Sequence, residues 1–89
     1  MKYNVKTSSQ EITANTTIKQ SKFGGWLCVN IGNTGIVYVD GYPLNPGDGI
    51  DMTHLAPEVV WAQPIRIIVT GGATARFTSL YYTEVKERR

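Results

Sequence analysis

Residues 26–50 read WLCVNIGNTGIVYVDGYPLNPGDGI. Two short runs rich in β-branched and aromatic residues lie between clusters of Gly, Asn, Asp and Pro, the pattern of strands separated by turns. Successive side chains of a strand point to opposite faces. Leu27, Val29 and Ile31 therefore share one face of the first run, and Trp26 and Cys28 the other. In the second run Val37 and Val39 oppose Ile36 and Tyr38. Both faces are apolar. One belongs to the core, and the other needs a cover that a small chain has little material to supply. The pattern points to a partner surface rather than to a reaction centre.

The turns around these runs have recognisable chemistry. GNTG at 32–35 joins the two runs as a hairpin, with Asn33 and its flanking glycines tolerating positive φ. Asp40-Gly41 is a type I′ signal, and Asn45-Pro46-Gly47-Asp48 reads as a type II turn. Upstream, 2–7 and 11–19 read as polar, Thr-rich strands whose few apolar residues (Tyr3, Val5, Ile12, Ile18) suit sheet edges. Downstream, 51–62 reads as a loop in which Pro57 limits any helical turn opened at Thr53. Residues 64–70 form a strand with Ile65, Ile67 and Val69 on one face and Arg66, Ile68 and Thr70 on the other. Gly71-Gly72-Ala73 then turns the chain into a long final strand, 74–85. In that strand Phe77 and Tyr81 share one face while Leu80 and Tyr82 share the other. Either both faces are partly covered, or a bulge near Thr78-Ser79 switches the alternation. The sum is about seven short strands: an all-β chain, folded as a small antiparallel β-sandwich or barrel-like sheet pair.

The 89 residues fit a single β domain over 1–89, with 1–20 suited to an extended or strand-donating N-terminal segment. Hydrophobic residues make up 42% against 18% charged, which argues against disorder. A chain this size buries roughly 60–65% of its unfolded surface, so assembly is a natural source of extra stability. The net charge of +2 is weak and scattered, and EVKERR at the C-terminus mixes both signs as a solvated tail does. Nucleic acid is therefore not an expected partner. Nor is a membrane: MKYNVKTSSQ has no apolar h-region, and no run approaches spanning length. Cys28, the single cysteine, reads as a small buried hydrophobe.

Catalytic and metal-binding patterns are missing. Nucleophilic catalysis needs a nucleophile, a base and a group that orients the base. His54 is the single histidine, and Cys28 falls inside a strand rather than in an electropositive setting. The acidic pair Asp48 and Asp51 lacks the ligand number and spacing of a calcium loop, and turn-forming aspartates account for it. Phosphate loops are absent. The reading is of a chain that is not an enzyme and uses no cofactor and no metal. Candidate partner-binding residues are Trp26, Tyr38, Tyr42, Trp61, Arg66 and Arg76, because aromatic rings and arginine are enriched at interfaces. Tyr42, after a tight turn, and Trp61, in the irregular loop, are expected to be the most exposed of the rings.

Two resemblances add to this. LNPGD, ending at Asp48, looks like the Pro-Gly turn of cupin barrels, but the histidines and glutamate of cupin metal sites have no counterpart here. The stretch VNIGNTGIVYVDGYPLNPGDGI, ending at Ile50, resembles a pattern of small structural proteins of tailed bacteriophages. There an N-x-G strand end is followed by a short hairpin and then by V-x-G-x-x-L-x-P-G. Asn30, Gly32, Val39, Gly41, Leu44, Pro46 and Gly47 match it, and the later IRIIV strand is similar. The resemblance implies a virion component of the capsid decoration, auxiliary or head-fibre type, made in the host cytoplasm and carried on the capsid surface. Its expected partners are capsid subunits and further copies of itself. A carbohydrate-binding or adhesion module, with a glycan held by Trp61 and Tyr42, is the alternative. Single-stranded nucleic-acid binding would need a basic groove interleaved with aromatics, which the dispersed charge does not provide.

Overall fold

A computed structural model describes residues 3–19, 24–53 and 63–85. Eight strands run through them: β1 (Tyr3–Ile12), β2 (Thr16–Ile18), β3 (Gly25–Asn30), β4 (Val37–Val39), β5 (Tyr42–Leu44), β6 (Gly49–Met52), β7 (Ile65–Val69) and β8 (Ala75–Glu84). They form two four-stranded sheets with the orders β1-β8-β3-β6 and β2-β7-β4-β5, antiparallel throughout. Every connection except β4–β5 changes sheet, and this interleaving is the strand order of a jelly roll. The all-β sandwich expected from the sequence is what the chain forms, with one strand more than the seven counted.

The core lies between the sheets. Ile12, Trp26, Cys28, Ala75 and Phe77 come from the first sheet, and Val37, Val39, Leu44, Ile65 and Ile67 from the second. Trp26 stacks on Phe77 with ring centroids 5.6 Å apart. Fully burying a Leu, Ile, Val or Phe contributes about 1.5–3 kcal/mol, so these residues carry most of the driving force. Strand alternation assigns the faces: Trp26, Cys28 and Asn30 point inward, while Leu27 and Val29 point outward and are half-buried.

Several turns form as expected. Asp40 and Gly41 both have positive φ, 48° and 85°, and join β4 to β5 as a tight hairpin with Val39 opposite Tyr42. The Asn45–Asp48 turn closes with the Asp48 N–H donating to the Asn45 carbonyl at 2.8 Å. Other expectations are corrected. The runs flanking GNTG are not a hairpin, because β3 and β4 belong to different sheets; Gly71-Gly72 likewise carries the chain from β7 across to β8. The expected break between the two N-terminal strands falls at Thr13–Asn15, so Ser8, Ser9 and Gln10 stay within β1. Asp51 and Met52 belong to β6 rather than to a loop, and residues 54–62 lie outside the described residues.

Both N-terminal strands do occupy edges, β1 in the first sheet and β2 in the second. The strand-donating expectation for 1–20 meets a β1 that pairs with its own chain's β8 over its whole length, Tyr3 opposite Glu84 through to Ile12 opposite Ala75. That register is unbroken, so no bulge interrupts β8, and its two apolar faces are both real. Neighbouring β3 reaches only from Asn30 to Gly25, opposite Ala75 to Leu80. Beyond Leu80, among the described residues, β1 and β8 pair with each other alone and extend the molecule as a two-stranded ribbon. The dimensions reflect it: 56 × 21 × 18 Å, with a radius of gyration of 14.6 Å against about 12 Å for a compact chain of this length.

Candidate functional site

The five candidate residues that the structure describes do not gather into one site. Trp26, 2% exposed, is a core residue, which corrects its place among surface candidates. Tyr38 and Arg66 share the outward face of the second sheet: Tyr38 lies opposite Pro43 and Ile68, and Arg66 stands two positions along β7 from Ile68. The end of that row is fixed by Asp40, whose carboxylate accepts the Arg66 backbone N–H at 2.9 Å while its own N–H donates to the Arg66 carbonyl at 2.8 Å. Arg76 faces the opposite way, on the outer surface of the first sheet. Its guanidinium reaches the Glu11 carboxylate at 3.4 Å, and both side chains are more than half exposed, so the pair adds little stability. The crossover at Gly71-Gly72 puts Arg66 and Arg76, on the strands either side of it, in different sheets. Trp61 and His54 lie outside the described residues.

Tyr42, 62% exposed, borders a groove of about 600 Å³ between β5 and β6, the last strands of their sheets among the described residues. Val39, Ile50 and the edge of Trp26 line it, with Met52 on the opposite rim. Its volume falls within the range of small-ligand sites.

A further surface was not assembled by the sequence reading. On the outward face of the first sheet, Val5 lies opposite Tyr82, and Leu80 lies two positions further along β8. Gly25 stands opposite Leu80 and offers it no side chain, and Leu27 and Val29 continue the row along β3. Val5 is 53% exposed and the other four are half-buried. The signal was present in the opposed parities of Leu27/Val29 and of Leu80/Tyr82. Only the pairing register lines them up.

The polar chemistry is local. The Asp48 carboxylate accepts the Asn45 N–H at 3.1 Å, and Asp51 accepts the Thr53 N–H at 2.9 Å along with its hydroxyl. Among the described residues no three His, Cys, Asp or Glu side chains gather as metal ligands would. Burial pushes the Cys28 thiol up from 9.0 to about 11, so it stays protonated and unreactive at neutral pH. Iodoacetamide at pH 8 is therefore expected to label Cys28 only when the chain is unfolded in denaturant; rapid labelling of the native protein would contradict this burial. The linked stability is lost as pH rises from 9.0 toward 11, where the unfolded chain releases the proton that the fold retains.

Four of the residues that carry the phage resemblance, Asn30, Gly32, Leu44 and Gly47, meet at one corner of the sandwich. Asn30, fully buried, donates from Nδ2 to the Leu44 carbonyl at 2.9 Å and to the Gly35 carbonyl at 3.3 Å, and its Oδ1 accepts the Gly32 N–H at 3.0 Å. Its backbone carbonyl accepts the Gly47 N–H at 2.9 Å. These bonds give Asn30, Gly32, Leu44 and Gly47 an architectural role. Comparison with protein-family models, curated proteins and solved structures finds no match for this chain.

Proposed function

We propose that this chain is a non-enzymatic virion structural protein, a capsid decoration or auxiliary subunit that attaches by burying apolar surface. One observation carries the reading: the outward row of Val5, Tyr82, Leu80, Leu27 and Val29, on a sheet whose other face already packs the core. Covering apolar area yields about 25 cal/mol per Å², so a neighbour seated on this row stabilises a fold that is small on its own. The jelly-roll order supports it as a fold used for capsid proteins, although that fold also serves lectins and enzymes. Mass spectrometry of purified particles is the test. The polypeptide is expected in stoichiometric copy number, and Leu80→Glu is expected to lower its occupancy about tenfold while circular dichroism shows the fold retained. Particles that lack the chain overturn the proposal.

The groove beside Tyr42 supports a second reading, a carbohydrate-binding or adhesion module. An exposed aromatic ring next to a carboxylate, Asp40, is a common way to stack and hydrogen-bond a sugar. Glycan-array binding abolished by Tyr42→Ala would favour it, and a blank array would count against it.

A further inference from the structure

Among the described residues four strand edges are left unpaired: β1, β6, β2 and β5. Three of them are blunted. β2 has 3 residues, β6 has 4, and β5 has 3 with Pro43 at its centre, which removes a donor. β1 is different. It runs for 10 residues with no Pro, no Gly and no bulge, and Asn4 to Glu11 are all exposed. Alternate residues of an edge strand present their N–H and C=O groups outward, ready for another strand. The outer part of β1 also lies in the two-stranded ribbon beyond Leu80. Such a ribbon is marginal in water, and a third strand is what makes it stable.

We propose that the third strand is β1 of a second copy, paired antiparallel about a two-fold axis through Ser8. The two first sheets then join into one sheet of eight strands. This proposal rests on the reading of the chain as an assembly module and names a partner for it. A two-fold axis normal to the sheet keeps inward side chains opposite inward ones, so residues of equal parity must meet. Centring on Ser8 puts Lys6 opposite Gln10 of the second copy, Thr7 opposite its Ser9, and Val5 opposite its Glu11. The edge carries one Lys and one Glu between Asn4 and Glu11, so two copies meet without net repulsion. In this register the two Lys6 side chains stand four residues apart, about 13 Å, beyond the ~10 Å over which 0.1 M salt leaves charges interacting. A Thr7-centred register would bring them to about 7 Å. Hydroxyl pairs across strands are already used in the molecule: Ser9 and Thr78 oxygens lie 2.8 Å apart.

At the axis Ser8 faces its own copy, and that gives a direct test. Sedimentation of the wild-type chain from low to high micromolar concentration is expected to show a monomer–dimer equilibrium. Ser8→Lys alone and Ser8→Glu alone each place like charges opposite one another and are expected to weaken self-association about tenfold. An equimolar mixture of the two is expected to restore it, as a mixed dimer. Ser8 is exposed, so circular dichroism should give both variants the wild-type fold. A wild-type chain that stays monomeric overturns the proposal. So do single variants that dimerise as the wild type does, or monomeric variants that the mixture does not rescue. Particle composition is read separately: a monomer present in virions ends the edge pairing alone, and a dimer absent from them ends the virion assignment alone.

Discussion

Replacing Asn30 by alanine is expected to lower the free energy of unfolding by about 3 kcal/mol, measured by urea denaturation. The side chain makes three hydrogen bonds in a dry corner, to Leu44, Gly35 and Gly32. Truncation leaves two carbonyls and an N–H short of a partner, at about 1–3 kcal/mol for each group left unsatisfied. Asn30→Leu restores the volume but not the bonds, so it separates polar loss from cavity loss and should remain destabilised. Asn30→Asp keeps the acceptor for Gly32 but turns a carboxylate toward the Leu44 and Gly35 carbonyls. Its carboxyl is held above the unfolded value, so this variant gains stability as pH falls and loses it as pH rises through that range. A loss below about 1 kcal/mol for Asn30→Ala would show that the corner is held by other contacts.

Gly35→Ala is expected to be at least as damaging, costing about 4 kcal/mol or preventing folding. Gly35 has φ +81°, and a Cβ there would lie 2.0 Å from the Thr70 carbonyl oxygen and 2.8 Å from that of Gly71. The atoms it meets are backbone, locked by Thr70 N–H and Oγ1 donating to the Ile36 carbonyl at 3.0 and 2.8 Å and by the Thr34 hydroxyl donating to Gly71 at 3.0 Å. Gly41 is the matched control. Its φ is +85°, yet a Cβ there meets nothing within 4 Å. Gly41→Ala therefore isolates the dihedral cost, about 1 kcal/mol. Similar melting temperatures for the two variants would contradict the close approach of the two crossovers.

Turn chemistry is local, so Asp40-Gly41 and Asn45–Asp48 were legible from residue type, as was the polar, edge-like character of β1 and β2. Which sheet a strand joins is not local. The GNTG segment reverses the chain, but the bonds from Ile36 to Thr70, 34 residues away, carry β4 beside β7 instead of back onto β3. The same crossover logic sent Arg66 and Arg76 to opposite outer faces. Alternation showed that β3 has two apolar faces but could not choose the inner one. Asn30 lies on the buried side although it is polar; Gly32 and Gly35 are near it in sequence, but its partner Leu44, 14 residues on, is brought to it only by the fold. The outward row failed to appear for the same reason, since Val5 and Tyr82 are far apart in sequence and adjacent only in register.

The pairing of Tyr3 with Glu84 has a practical corollary. The first residue of β1 and the last residue of β8 lie side by side, about one strand spacing apart. A module with that geometry can be spliced into a surface loop of a host protein without prying the loop open, or relinked head to tail and reopened at the Asp40-Gly41 hairpin. The body then stands off its carrier like a paddle on a two-ply handle.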